Sequence, residues 1–211
     1  MQNDSGNIQD RYKSVGGAAE GLFKDRGSRF ISYIYPVTSE SQVKPLVDAI
    51  KKEHHAARHH CYAYRIGYDG ALMRANDDGE PSGSAGRPIL GAIDSAGLSD
   101  VLIVVVRYFG GILLGVPGLI NAYREASRDA IARTSVVEKV ACSTFSVEFD
   151  YMQMNDVQKY LKASEVEILE QVFDLDCRMN VRVPLSLAAS FAEGIGRMNR
   201  ERGLNIVCKQ Q

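Results

Sequence analysis

Six consecutive apolar residues, Val101 to Val106, run into a single arginine, Arg107, and then through Tyr108 and Phe109 into Gly110-Gly111. A stretch apolar at every position has no side to offer water, so it belongs to a strand covered on both faces, central in its sheet. The run falls far short of the roughly 20 residues that cross a bilayer. The polar start Met1-Gln2-Asn3-Asp4 carries no basic and apolar leader pattern. The expected address is therefore the cytoplasm, with no membrane contact.

With 211 residues, 45% of them hydrophobic, the chain can fill one large core or two modest ones. Residues 1–16 are polar and close on Gly16-Gly17, which reads as a flexible tail. Strands are expected over 18–23 and 30–35, across the charged turn Lys24-Asp25-Arg26-Gly27. From Ser41, the residues Val43, Leu46, Val47 and Ile50 recur at helical spacing, and Pro45 is expected in that helix's first turn, where a missing N–H does least harm. Residues 61–66 alternate as a strand, with Tyr62, Tyr64 and Ile66 on one face and Cys61, Ala63 and Arg65 on the other. An acid- and glycine-rich loop over 76–86 leads to a helix with Pro88 in its first turn, Ile89, Leu90 and Ile93 on its apolar side, and Gly97 as its C-terminal cap. Leu119, Tyr123, Ala126, Ala130 and Ile131 mark a longer helix.

Near 136–140 the pattern changes. Phe145, Val147 and Phe149 alternate as a strand, Val157, Tyr160 and Leu161 follow at helical spacing, and 166–175 is again strand-like. Cys177, Met179, Val181 and Val183 alternate next, before a helix capped by Ser186 and stopped at Gly203, and a last strand over 204–208. The order β-α-β-β-α-β is the ferredoxin-like split motif. The chain thus reads as α+β in two domains, 17–139 and 140–211, behind the tail.

Several groups could carry chemistry. Asp77, Asp78 and Glu80 place three carboxylates within four residues, a set able to bind a cation, do acid/base work, or brace the loop by accepting backbone amides or pairing with Arg58 or Arg107. All four histidines, His54, His55, His59 and His60, lie close together. A metal reading joins His55 and His59 to the acids, but His54 and His55 also suit the negative end of a helix, and no metal is expected. The turn Gly110 to Gly118 could cradle an anion or simply allow a sharp turn, and it lacks the nucleotide-binding G-x-x-x-x-G-K-[ST] pattern. Lys24, Arg26 and Arg29 flank a hairpin, with Tyr62, Tyr64 and Tyr108 as possible stacking faces for RNA. Net charge is -1, with 17 basic against 16 acidic residues over 1–139 and 8 against 10 over 140–211, so any RNA contact must come from a local patch. The four cysteines have no C-x-x-C spacing and read as reduced core residues, with a Cys142–Cys208 disulfide as the alternative if their strands pair.

Three blocks resemble the IMPACT family, whose bacterial branch includes YigZ-like proteins. They are Arg58-His59-His60-Cys61, the run Asp77-Asp78-Gly79-Glu80-Pro81-Ser82-Gly83-Ser84-Ala85-Gly86-Arg87-Pro88-Ile89-Leu90, and Val104-Val105-Val106-Arg107-Tyr108-Phe109-Gly110-Gly111-Ile112-Leu113-Leu114-Gly115. Pro117 departs from the family's usual small residue and removes one backbone donor from the glycine turn. The resemblance implies a first domain similar to the second domain of ribosomal protein S-five and the fourth domain of elongation factor G, and a second domain similar to that factor's fifth. It further implies a translation-linked, non-catalytic regulator whose partner is the ribosome, RNA or a translation-associated protein, since eukaryotic members restrain the amino-acid-starvation kinase. The implied binding surface comprises Arg58, His59, Asp77, Asp78, Glu80, Arg107, Tyr108, Gly110 and Gly111, with Lys24 and Arg29 beside it and no cofactor. Alternatives are an enzyme acting on a phosphorylated small molecule or nucleotide, and a protein-interaction module without RNA.

Overall fold

The computed structural model describes residues 10–164, 166–174 and 176–211. Its elements are β1 (Arg11–Val15), β2 (Ala19–Asp25), β3 (Ser28–Pro36), α1 (Glu40–Glu53), β4 (His59–Ile66), β5 (Leu72–Asn76), α2 (Gly86–Ser95), β6 (Val101–Tyr108), α3 (Gly115–Ala132), β7 (Val136–Val140), β8 (Cys142–Asp150), α4 (Met154–Ala163), β9 (Glu167–Val172), β10 (Asp176–Pro184), α5 (Leu185–Arg202) and β11 (Val207–Gln210). The chain is α+β, and it divides into two compact units, Arg11–Lys139 and Asp10 with Val140–Gln211. Among the described residues no helix is long and apolar enough to cross a membrane.

The larger unit is built on a five-stranded sheet in the order β2-β3-β6-β4-β5. Its middle strand is β6, and Val101 to Val106 are all fully buried, as an uninterrupted apolar run requires. Alternation sorts the neighbouring side chains onto two faces. Cys61, Ala63, Phe30, Ile103 and Val105 share a core with Ile89, Ile93, Leu119, Tyr123 and Ala126 of α2 and α3. Tyr64, Ile66, Leu102, Val104 and Val106 share the other with Val43, Val47 and Ile50 of α1. α2 ends as its glycine predicts: Gly97 has φ +64°, and the amides of Gly97 and Leu98 return to the carbonyls of Asp94 and Ile93 at 3.0 and 3.2 Å.

The smaller unit is an antiparallel sheet in the order β11-β8-β10-β9, with α4 and α5 in the split β-α-β-β-α-β arrangement. Phe145, Val147 and Phe149 of β8 pack with Cys177, Met179, Val181 and Val183 of β10 against Val157, Leu161, Phe191 and Ile195. Cys208 lies opposite Val147 and Cys142 opposite Pro184, so the register of β8 keeps those two cysteines apart, and all four cysteines are free.

Three local expectations need correction, and one strand was not foreseen. Residues 11–15 form β1 rather than tail, because long-range partners order them: the Lys13 carbonyl accepts the Ser99 amide at 2.8 Å, and Tyr12 donates to Asp100 Oδ2 at 2.6 Å. The rest of the expected tail, residues 1–9, lies outside the described residues, as does Leu175 of the strand expected over 166–175. Pro45 sits inside α1 rather than in its first turn, since the helix already starts at Glu40, where Gln42 Oε1 accepts the Thr38 and Ser39 amides at 2.7 and 3.2 Å. Ser186 does not cap α5; Asp10 does, accepting the Ser186 amide at 3.2 Å and its hydroxyl at 2.5 Å. Finally, β5 was not legible: none of its first four residues is buried, so it has no hydrophobic alternation to read.

β2 packs very closely beneath α3. A Cβ at Gly21 would stand 2.4 Å from the Ala130 nitrogen and 2.6 Å from Ser32 Oγ. Gly21→Ala should therefore destabilise the protein by ~1–3 kcal/mol through overpacking, read as a lowered urea midpoint with an unchanged m-value. An unchanged midpoint would mean that β2 and α3 separate without cost.

Candidate functional site

The site forms where β4 begins and β6 ends. Register sets His59 opposite Arg107, and Arg107 opposite Phe30 on the other side. The next row carries Tyr108, Arg29 and Lys24, each paired across to the next strand. Alternation then separates the roles. Arg107 turns toward α2 and α3, while Tyr108 turns toward α1.

Arg107 is buried. Its Nη1 donates to Glu80 Oε1 at 2.7 Å, with side-chain exposures of 8% and 3%, and its guanidinium lies between the rings of Phe30 and Phe109 at 5.7 and 5.5 Å. Tyr123 of α3 donates to the same Glu80 oxygen at 2.8 Å. The Cys61 thiol lies 3.3 Å from the Tyr123 hydroxyl and 3.0 Å from the Asp77 carbonyl oxygen. Burial pushes both the Cys61 and Tyr123 pKa values up, so each stays a neutral donor. One buried carboxylate thus links β4, β6, α3 and the acidic loop.

The other two acids are also spoken for. Asp77 accepts the amides of Gly83, Ala85 and Gly86 at 2.8, 3.0 and 2.8 Å, capping α2 from outside because its N-cap residue, Ala85, has no polar side chain. Burial acts to raise the Asp77 carboxyl, but the amides of Gly83, Gly86 and Ala85 outweigh it and hold the pKa below the usual carboxylate range. Asp78, at φ +40°, accepts the His60 amide at 2.7 Å and the Lys51 ammonium at 3.0 Å. There too burial opposes ionisation, and the His60 amide and Lys51 prevail.

The histidines fall into separate roles. His54, the C-cap of α1, bridges the hydroxyls of Tyr33 at 2.7 Å and Tyr108 at 2.9 Å. His60 is buried, with Nε2 3.2 Å from the His54 carbonyl, and desolvation lowers its pKa. His59 Nδ1 lies 3.0 Å from the Asp78 carbonyl oxygen, so it must donate there, which leaves Nε2 as the acceptor in the neutral ring. Among the described residues, no group of three or more His, Cys, Asp or Glu is arranged to hold a metal ion.

Gly110 is explained by packing: a Cβ there would meet Gly27 and Ser28 backbone within 1.9 to 2.3 Å, and its amide donates to Ser28 Oγ at 3.2 Å. Gly111 has φ +89°, which a side chain would strain. Pro117 falls in the first turn of α3, where no amide is required.

Four of the residues singled out from sequence line one cleft of about 490 Å³: Arg58, His59, Arg107 and Tyr108. Phe109 and Leu113 complete its apolar wall with Ala56 and Ala57. Phe109 is 56% exposed and Leu113 80% exposed, and Ile112 and Val116 beside them are also exposed. Asp77, Asp78, Glu80 and Gly110 do not line it. Lys24 and Arg29 do not line it either, although the Arg29 guanidinium lies 5.4 Å from the ring centre of Tyr108. Sequence reasoning missed Phe109, Leu113 and Tyr123 as site residues. Large apolar side chains within a glycine turn were the available signal for the first two, and a polar tip in an apolar helix face for the third.

Comparison with known proteins agrees with the three blocks. A family profile described as the Impact N-terminal domain matches residues 26–131. The IMPACT family member YvyE of Bacillus subtilis is 37% identical over 159 residues, covering 75% of this chain and 73% of that protein. The chain belongs to the IMPACT family. The family member YigZ of Escherichia coli is 30% identical over 175 residues, 82% of this chain and 86% of its own. A crystal structure described only as that of a hypothetical protein is 27% identical, with a TM-score of 0.71 over 95% of this chain and 98% of that one. In this chain the acidic loop and the arginine strand, both within the matched region, are held together by the Glu80–Arg107 contact.

Two outcomes test the brace. Glu80→Ala should cost ~3–5 kcal/mol in urea unfolding because it strands a buried guanidinium, and Glu80→Leu with Arg107→Met should recover most of that loss. For Asp77 the folded pKa lies below the unfolded value near ~3.9, so its stabilisation is complete above the unfolded pKa and is lost as pH falls through the folded one. The stability gap between wild type and Asp77→Asn should accordingly hold steady above about pH 5 and shrink as pH falls below the unfolded pKa. A gap independent of pH over that range would mean that the carboxylate's charge is not what the amides hold.

Proposed function

We propose that this protein is a translation-linked regulator that binds the ribosome, RNA or a translation-associated protein through the cleft at the ends of β4 and β6, without catalysing a reaction. The observation that carries the reading is the convergence of Arg58, His59, Arg107 and Tyr108 on one cleft with an apolar wall. An exposed cation, a histidine with a free acceptor and projecting Phe109 and Leu113 suit a partner that offers acidic groups around an apolar anchor. Membership in the IMPACT family supplies the link to translation. The projecting apolar loop favours a protein component of that partner over bare RNA.

An enzyme acting on a phosphorylated small molecule draws less support. Both Asp77 oxygens accept backbone amides, Glu80 Oε1 is shared by Arg107 and Tyr123, and the Gly110 amide donates inward. Sedimentation with ribosomal particles at low salt is the direct measurement. Arg58→Glu combined with Leu113→Asp, both exposed positions, should reduce the bound fraction about tenfold while leaving the melting temperature near that of wild type. Absence of co-sedimentation by the wild type, or equal binding by the double variant, would remove the cleft from the reading.

A further inference from the structure

A second concavity lies away from the cleft, between the outward faces of α2 and α3. It encloses about 510 Å³ and is lined by Arg87, Gly91 and Ser95 from α2 and by Ile120, Arg124 and Arg128 from α3, with no acidic residue among its lining. Three guanidinium groups on one groove stand out in a chain whose formal charge is -1. Arg128 is held by Glu125 at 3.1 Å in an exposed pair, whereas no hydrogen bond or ion pair of Arg87 or Arg124 occurs among the described residues. Asp94 of α2 is engaged with Arg65 at 2.7 Å, and Asp77, on whose carboxylate Arg87 acts at a distance, is already committed to three backbone amides.

Gly91 provides an independent observation. It sits inside α2, where glycine is costly to a helix. Yet a Cβ at that position would meet nothing within 4 Å. Gly21, Gly86 and Gly110 are all explained by atoms that a side chain would strike, and Gly91 is not. Its bare backbone faces the groove and keeps the floor open between the arginines.

From this we infer that the α2–α3 groove binds the phosphodiester backbone of a nucleic acid strand. Arg124 and Arg128 are one helical turn apart, about 6 Å along the axis, with Arg87 across the groove. Such a spread suits a chain of separate phosphates better than one compact anion. The groove lining has no aromatic side chain to stack a base and no buried polar group to read one, so the contact should be independent of sequence and sensitive to salt. This inference does not rest on the cleft reading. It uses different residues.

The test is fluorescence anisotropy of the full chain with a labelled single-stranded RNA oligonucleotide across a salt series. About three phosphate contacts should give a log K against log salt slope near -2. Arg87→Ala, Arg124→Ala and Arg128→Ala together should weaken binding at least tenfold at low salt and flatten the slope. Gly91→Glu, which places a carboxylate in the open floor, should weaken it with the helix content retained by circular dichroism. Arg74→Ala, an exposed arginine of β5 that lines neither concavity, should leave the slope unchanged, which separates this groove from general surface charge. The inference is overturned if the oligonucleotide does not bind at low salt, or if the triple variant binds as wild type does. It is equally overturned if tripolyphosphate or polyglutamate competes as well as RNA at equal charge, since the groove would then take a small anion or an acidic peptide.

Discussion

The ion pair between Arg107 and Glu80 stands where segments far apart in sequence meet. Arg107 ends the central strand, Glu80 closes the acidic loop, and Tyr123 reaches the same carboxylate from the long helix. A buried pair of this kind contributes little net stability once desolvation is counted, but leaving either charge alone is very costly. It therefore acts chiefly as a condition on geometry: the loop, β6 and α3 must all be in place together, or a charge is stranded. The Cys61 thiol beside Tyr123 extends the same condition to β4.

That constraint explains how the rest of the loop is used. With Glu80 anchored, Asp77 is held where three amides converge and supplies the cap that Ala85 cannot. Asp78 takes a positive φ and ties the loop to the His60 amide and to Lys51. Three carboxylates in four residues look like a cation site when written as letters, and in three dimensions each has a different inward partner. What faces outward at the end of the sheet is then set by what remains: Arg58, His59 Nε2, and the apolar side chains of the glycine turn.

The two grooves of the larger unit differ in kind for the same reason. The cleft beside Arg107 has an apolar wall and one buried cation already neutralised, so it suits a shaped partner. The α2–α3 groove has exposed arginines around an opening at Gly91, which suits diffuse charge. Neither depends on the protein's overall charge, which is close to zero.

Much of the fold was legible because its elements announce their own periodicity. The all-apolar run at 101–106, the alternation at 61–66 and at 177–183, and the helical spacing from Val43 and from Leu119 each follow from which side chains must avoid water. Elements held by distant partners were not legible: β1 is ordered by Asp100 and Ser99, and the α5 cap comes from Asp10. Among the site residues, the sequence alone determined that Arg107 and Gly110-Gly111 would lie at the end of a buried strand, because that strand can lie only in the middle of the sheet. Only the tertiary structure decided which of them face the partner and which hold the loop. Strand pairing and helix packing, acting over long separations, chose the partner of each charge, and a charge that has found a buried partner is no longer available to anything outside.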